Sequence, residues 1–196
     1  MAILTAQAWP DNGAMIADVA KLGYLKGRVL DATYGYGIFW NQWNPPGLIG
    51  CDLVPSKVNE RGVVADFTNL PFADHSFDSV VCDPPYKYTG TPTPEVDERY
   101  GVHVYTRWQD RRQLILDGIS ECSRVTRNYF LLKCQDQVVS GAKRWQTIEF
   151  SNHAATLGLT LEDRFDMLTT PRPQPGNRRQ VHSLQNYSTL LIFQKK

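Results

Sequence analysis

Four residues with clear chemical potential close a short apolar run, FDSVVCDPPY (77–86): Asp83, Pro84, Pro85 and Tyr86. A proline restricts the preceding residue to extended conformations and has no N–H of its own. The carboxylate of Asp83 and the carbonyl of Pro84 can therefore act as two rigid acceptors beside the flat face of Tyr86. This combination suits an exocyclic amine on a planar base.

Such an amine is a poor nucleophile, because its lone pair is delocalised into the ring. Two acceptors that take both of its N–H groups favour a tetrahedral nitrogen and aim the lone pair at an electrophile. Catalysis by this motif would rest on positioning and electrostatics. Asp-Pro-Pro also occurs in ordinary strand-terminating turns, so the motif needs support from the rest of the chain.

A glycine turn follows the first predicted strand, in RVLDATYGYGIFW (28–40), with glycines at Gly35 and Gly37. In doubly wound α/β folds the first such turn lies against a nucleotide-like cofactor, because glycine allows close approach of the backbone. The dinucleotide fingerprint is incomplete, since Trp40 stands where its third glycine would be, and the segment contains no Gly-Lys-Ser phosphate loop. The turn predicts a cofactor that has no pyrophosphate.

Acidic residues end the first three predicted strands: Asp31, Asp52 and Asp66. One acid at a strand end is commonly a cap or turn residue, whereas three beside a glycine turn fit a ligand with several hydrogen-bond donors. S-adenosylmethionine offers an ammonium, a ribose diol and an adenine amine. Asp52, 17 residues after Gly35, is placed to accept from both ribose hydroxyls.

Strand and helix patterns alternate along the chain, which predicts an α/β fold with a mostly parallel sheet. The predicted strands are near-continuous apolar runs, typical of a sheet covered on both faces: 28–32, 47–52, 63–66, 78–83 and 129–134. Helices are predicted over 11–25, 106–125 and 143–158. Two final strands, 159–168 and 187–194, lack an intervening helix and are expected to pair as an antiparallel hairpin at one edge.

Length and composition indicate a single domain over 1–196, with an ordinary 42% of apolar and 21% of charged residues. We expect a cytoplasmic protein with no membrane contact, because the sequence shows neither a signal peptide nor a long apolar run. The four cysteines are expected to be reduced thiols, and the four histidines show no metal-ligand spacing.

Charge is distributed unevenly, which suggests an anionic partner for the second half. Residues 1–100 hold 7 basic and 12 acidic side chains, and residues 101–196 hold 14 and 8. Two long segments, 87–105 and 169–186, fit no regular element, and such loops are commonly functional. The second contains Arg172, Arg178 and Arg179 and no acidic residue. We expect the two segments to clamp nucleic acid over Asp83, with these arginines on phosphates.

Together these segments resemble the successive motifs of class I S-adenosylmethionine-dependent amino-methyltransferases, over roughly residues 11–134. The matching segments are VLDATYGYG, CD (51–52), ADFTNLPF (65–72) and DPPY (83–86). D-P-P-Y is typical of adenine-N6 DNA methyltransferases, S-P-P-Y of cytosine-N4 enzymes, and N-P-P-Y recurs in RNA guanine and protein glutamine methyltransferases.

The resemblance implies a Rossmann-like, seven-stranded sheet whose last two strands form the hairpin, and S-adenosylmethionine as the cofactor. It implies a cofactor site of Asp31, Tyr34, Gly35, Gly37, Asp52, Asp66 and Phe67, with the target amine held by Asp83 to Tyr86. No insertion is large enough for a separate target-recognition domain. The expected activity is methylation of adenine N6 in DNA. The alternatives are an RNA or protein-glutamine methyltransferase and an inactive nucleic-acid-binding module.

Overall fold

A twisted sheet forms the centre of the protein, for which the computed structural model describes residues 9–88, 107–168 and 181–196. Nine strands lie within these residues: β1 Val29–Asp31, β2 Ile49–Asp52, β3 Val63–Val64, β4 Phe77–Cys82, β5 Thr126–Cys134, β6 Gln137–Val139, β7 Ala142–Arg144, β8 Leu159–Leu168 and β9 Tyr187–Lys195. Seven of them form the main sheet in the order β3-β2-β1-β4-β5-β9-β8. Of these seven strands, β9 alone runs in the opposite direction to the other six. The predicted seven-stranded sheet with a C-terminal antiparallel hairpin is confirmed.

Helices cover both faces of this sheet: α1 Asn12–Lys21, α2 Trp108–Val125 and α3 Gln146–Thr156. Alternate residues of the central strands pack into two separate cores, since successive side chains of a strand point to opposite faces. Leu30 and Leu132 pack on the α2 and α3 side, whereas Val81 and Leu131 pack on the α1 side. Burial on both faces explains the unbroken apolar runs in the sequence.

Local sequence signals account for the ends of α1. The side chain of Asp11 accepts a hydrogen bond from the backbone N–H of Ala14 at 2.8 Å, which satisfies a free donor of the first turn. Beyond the last helical residue, Lys21, Gly23 has a φ of +86°. The two crossovers that follow β1 and β2 contain only short 3₁₀ turns, Ile38–Trp40 and Pro55–Lys57.

The helix predicted over 143–158 begins later than expected, because residues 142–144 form β7. This strand pairs with β6 in an antiparallel hairpin, with Val139 opposite Ala142. Ser140 and Gly141 make the connection, with φ values of +51° and +76°. Two successive left-handed residues are what a two-residue hairpin turn requires. The sequence analysis missed this hairpin, since its strands are only three residues long.

All four cysteines are buried free thiols. In the described part of the chain, no helix is long and apolar enough to cross a bilayer. Nor do these residues bring together a group of histidine, cysteine, aspartate or glutamate side chains that could hold a metal ion.

Candidate active site at the carboxyl edge of the sheet

Three neighbouring strands deliver polar residues to one place at the carboxyl edge of the sheet. β4 lies between β1 and β5, with Asp31 opposite Val81 and Cys82 opposite Leu132. The next residue after Cys82 is Asp83 and the next after Leu132 is Lys133, so this register places Asp83 beside Lys133. On the other side, the N–H of Asp83 donates to Thr33 Oγ1 at 2.7 Å.

Asp83 presents a carboxylate oxygen that is available as an acceptor. Its Oδ1 is buried, and no donor among the described residues forms a hydrogen bond with it. Burial raises the pKa of the Asp83 carboxyl, while the ammonium groups of Lys133 and Lys87 act in the opposite direction. A buried acceptor without a partner costs free energy, so an arrangement of this kind fits a ligand that supplies the missing donor.

The Pro-Pro-Tyr segment folds into a tight turn directly after Asp83. The carbonyl of Pro84 accepts from the N–H of Tyr86 at 2.6 Å. A carbonyl oxygen has two lone pairs, so this bond leaves one for the predicted second acceptor. Tyr86 is half-buried against the core on the α2 and α3 side.

Two glutamine side chains fix the end of this turn. The amide nitrogens of Gln137 and Gln146 each donate to the carbonyl of Tyr86 at 2.7 Å. Gln137 also accepts from the N–H of Tyr88 at 2.9 Å, and Gln146 from that of Gln135 at 3.0 Å. Both glutamines are buried. The sequence analysis missed this pair, because nothing in the local pattern marks a buried glutamine.

The glycine turn predicted after β1 is present, and both of its glycines have left-handed backbone. Gly35 and Gly37 have φ values of +56° and +66°, in the left-handed region that glycine favours. The N–H of Gly35 donates to Asp52 Oδ2 at 3.0 Å. A Cβ added to Gly35 would meet nothing closer than the carbonyl of Thr33 at 3.9 Å, so the space above this residue is open.

The side chain of Tyr34 packs against the backbone of two glycines, Gly37 and Gly50. A Cβ on Gly37 would come within 2.6 Å of the Tyr34 hydroxyl, and one on Gly50 within 2.6 Å of its ring. Burial raises the pKa of Tyr34, and the Asp31 carboxylate acts in the same direction. At Gly37 the missing side chain thus makes room for Tyr34, a local reason that the sequence analysis had not identified.

Asp31 is buried, with 3% of its surface exposed, and it stabilises the segment that follows β1. One carboxylate oxygen accepts from the N–H of Thr33 at 2.9 Å, and the other from the indole N–H of Trp40 at 2.7 Å. Burial raises the pKa of the Asp31 carboxyl to about 7, against the effect of these two hydrogen bonds. The described contacts of Asp31 thus give it a structural role beside the predicted cofactor role.

The other two acids also stabilise their own loops while remaining half-buried. Asp52 Oδ1 accepts from the N–H of Val54 at 2.8 Å, and Asp66 Oδ1 accepts from the N–H of Thr68 at 2.9 Å. Next to Asp66, the ring of Phe67 is buried against Gly118 of α2, where a Cβ would meet it at 2.1 Å. This packing anchors the loop that carries Asp66.

The predicted substrate-binding arginines, Arg172, Arg178 and Arg179, lie outside the described residues, as do residues 89–106. Their predicted contact with nucleic acid therefore stays a prediction. Of the two long segments, the structure describes Lys87 and Tyr88 and the residues from 181 onward. The side chain of Lys143 in β7 donates to the carbonyl of Ser183 at 2.6 Å, which attaches this later segment to the hairpin.

Several known structures with the same architecture are methyltransferases or proteins described as such. No protein-family model matches the sequence, and a search of curated proteins finds no relative. Magnesium protoporphyrin IX methyltransferase from Synechocystis PCC 6803, with bound S-adenosylmethionine, matches with a TM-score of 0.56 at 14% identity, over 94% of this chain and 78% of that one. A candidate methyltransferase from Bacillus halodurans matches with 0.58 at 15% identity, over 92% and 98%. A candidate sarcosine dimethylglycine methyltransferase from Galdieria sulphuraria matches with 0.56 at 12% identity, over 94% and 85%. The chain therefore has the Rossmann-like fold of class I methyltransferases.

Proposed function

We propose that this protein is an S-adenosylmethionine-dependent methyltransferase that modifies the exocyclic amine of a base, adenine N6 in DNA. The observation that carries the proposal is the buried Oδ1 of Asp83, which has no hydrogen-bond donor among the described residues and is set between the glycine turn and a Pro-Pro-Tyr turn. An acceptor in that position needs an N–H donor. An amine on a flat ring next to Tyr86 supplies one.

The residues around the glycine turn fit the cofactor. S-adenosylmethionine supplies an activated methyl group on a sulfonium. Gly35 leaves open space above the backbone, and Asp52 is half-buried with each carboxylate oxygen in one described hydrogen bond. A carboxylate has about four lone-pair positions, so Asp52 can also accept from a ribose diol. Asp66 is the corresponding candidate for the adenine amine. The Synechocystis enzyme of the same fold was crystallised with S-adenosylmethionine and with S-adenosylhomocysteine.

The chain's own residues act on the target by holding it. Asp83 Oδ1 and the remaining lone pair of the Pro84 carbonyl accept the two N–H groups of the amine, which localises its lone pair. The hydrogen bonds of Thr33 and of the glutamine pair fix these acceptors before the target arrives. Such preorganisation is the main source of catalysis where no covalent chemistry falls to the protein.

The motif and the basic second half of the chain support a nucleic-acid target. A base inside a duplex must be turned out before its amine can reach Asp83, and stacking on Tyr86 offsets part of the cost. Arg172, Arg178 and Arg179 are proposed phosphate contacts. Replacing Arg178 and Arg179 by alanine is expected to flatten the slope of log affinity against log salt by roughly one unit per lost contact. An unchanged slope would remove these arginines from the interface.

The deciding experiment measures methyl transfer from labelled S-adenosylmethionine to DNA, RNA and protein in parallel. We expect label in DNA, recovered as N6-methyladenine, with the wild-type protein and none with Asp83→Ala. Cofactor binding by that variant, measured by calorimetry, should stay near the wild-type value. Label in RNA or in protein glutamine would change the substrate class. Cofactor binding without transfer to any of the three would favour an inactive binding module.

A further inference from the structure

A lysine is buried beside Asp83, and the proposed reaction so far gives it no role. Lys133 is the penultimate residue of β5, and only 3% of its surface is exposed. Its side chain lies on the same face of the sheet as Leu131, in the space between β5 and α1. Burying an ammonium group is costly unless its charge is balanced, so its retention there needs a reason.

The described contacts of the Lys133 ammonium group are with residues other than Asp83. It donates to Oδ1 of Asn12, the first residue of α1, and lies 5.3 Å from the centre of the Phe39 ring. The Asp83 Oδ1 atom, one strand away, stays without a hydrogen-bond donor among the described residues. The two charges are close enough to influence each other, yet Lys133 does not occupy this acceptor.

We propose that Lys133 is a positioning residue: its ammonium group balances the charge of Asp83 from a short distance, so that the carboxylate stays ionised while its oxygen remains open to the target amine. A direct ion pair would occupy the acceptor, and an apolar residue would leave the carboxylate uncompensated. Asn12 is the second part of this arrangement, because its hydrogen bond to the ammonium group keeps that group from pairing with Asp83. The inference rests on the proposed function only in assigning the target amine to Asp83.

The charges around Asp83 are consistent with this role. From β1, the buried Asp31 faces it as a second carboxylate, and Asp52 acts on Asp31 in turn. Lys133 faces it from β5, and Lys87 from its own loop. Burial raises the pKa of Asp83 and lowers that of Lys133, whereas the attraction between the two charges acts in the opposite direction on each pKa.

Two substitutions are expected to move the ionisation of Asp83 in opposite directions. Lys133→Met keeps the length of the side chain in an apolar site and removes the charge, so it should raise the pKa of Asp83 by about one unit or more. Asn12→Ala releases the ammonium group to pair with Asp83, so it should lower that pKa. Both are expected to reduce kcat at pH 7. A merely structural role for Lys133 would not produce opposite shifts.

The first measurement needs neither cofactor nor substrate: the Asp83 carboxyl is titrated by NMR with carbon-13-labelled aspartate, and Asp83→Asn identifies the signal. The second is the pH profile of kcat. Turnover requires ionised Asp83, so in Lys133→Met the acid limb of the profile should move to higher pH, with about a tenfold loss of kcat for each unit that the pKa rises, at pH values on that limb. Activity should recover as pH rises, and the KM for S-adenosylmethionine should stay within about threefold of wild type.

Lys195→Met is the matched control. Lys195 is a half-buried lysine at the opposite edge of the sheet, where it donates to the carbonyl of Ser123. Loss of this lysine should lower the free energy of unfolding and leave the pKa of Asp83 unchanged. An unchanged Asp83 titration in Lys133→Met overturns the inference. A large rise in the KM for S-adenosylmethionine with an unchanged pH profile of kcat also overturns it, because that result would make Lys133 a cofactor ligand. A wild-type protein that methylates nothing would overturn the proposed function instead, and the NMR titration would still decide the role of Lys133.

Discussion

The backbone N–H of Asp83 and the hydroxyl oxygen of Thr33 lie 2.7 Å apart and form a hydrogen bond between two loops. One loop follows β1 and contains the glycine turn, and the other begins the Pro-Pro-Tyr turn. The residues proposed to hold the cofactor and those proposed to hold the target are therefore joined by a direct hydrogen bond.

Thr33→Val is expected to lower kcat by about tenfold and stability by about 1–3 kcal/mol, because it removes the acceptor and leaves the Asp83 N–H without a partner. Valine keeps the shape of threonine, so packing changes little. Thr33→Ser retains the hydroxyl and should behave like the wild type. Denaturant unfolding and steady-state kinetics measure the two effects, and a fully active Thr33→Val would show that the contact does not position Asp83.

Removing both glutamines that bind the Tyr86 carbonyl should be worse than the two single losses combined. In Gln137→Ala or Gln146→Ala the carbonyl keeps one donor, whereas the double variant leaves it with neither. We expect a higher KM for DNA and a lower kcat, with unchanged cofactor affinity. Gln113→Ala is the control, since Gln113 donates to Asp117 on the exposed surface of α2. Strict additivity in the double-mutant cycle would mean that the two glutamines act independently.

Asp52→Ala is expected to weaken S-adenosylmethionine binding by one to two powers of ten, as the loss of charge-assisted hydrogen bonds worth about 1.5–3 kcal/mol allows. Calorimetry measures the affinity directly. Asp78→Ala is a suitable control, because Asp78 accepts from the N–H of Arg28 at the opposite edge of the sheet. Unchanged affinity in Asp52→Ala would place the ribose elsewhere.

Asp31 should make stability depend on pH between about 4 and 7. Burial raises its pKa from 3.8 to about 7, so the folded protein holds a proton that the unfolded chain has released. The stabilisation is fully present below about pH 4 and is lost as pH rises to about 7, by up to about 4 kcal/mol. The difference in free energy of unfolding between wild type and Asp31→Asn should fall over this range. A difference that is constant from pH 4 to pH 8 would refute the prediction.

Tyr86 should contribute its ring rather than its hydroxyl. Tyr86→Phe is expected to retain activity, whereas Tyr86→Ala should lose stacking worth about 1–3 kcal/mol per base. The measurement is the KM for DNA with paired and with mismatched target adenines, since a mismatched base costs less to extrude. Equal activity of the phenylalanine and alanine variants would remove the stacking role.

Local sequence patterns were sufficient to predict the main strands and helices of the sheet. Apolar runs such as 78–83 predicted buried strands, because burial on both faces leaves no polar alternation. The positive φ values of Gly35 and Gly37 followed from residue type, since glycine adopts them with little cost. The predicted parallel sheet also placed Asp52 and Asp83 at one edge, because parallel strands end on the same side.

The hairpin of residues 137–144 and the late start of α3 show where such patterns fail. Strands of three residues contain too few side chains to establish a period of two, and the Ser140-Gly141 turn is a weak signal by itself. Lys143 and Arg144 are compatible with a first helical turn, so the sequence favoured a helix. Pairing between the two short strands decided the outcome.

The sequence by itself determined the order of the main-sheet strands and of the helices, and the position of the glycine turn, since each depends on residues within a few positions of one another. The tertiary structure decided that Lys133 lies beside Asp83, and that Gln137 and Gln146 bind Tyr86. These pairs are about 50 to 60 residues apart in the chain. Their proximity depends on β4 lying between β1 and β5 in one particular register. That register is set by how the two cores pack, a property of all the strands and helices together that no local pattern contains.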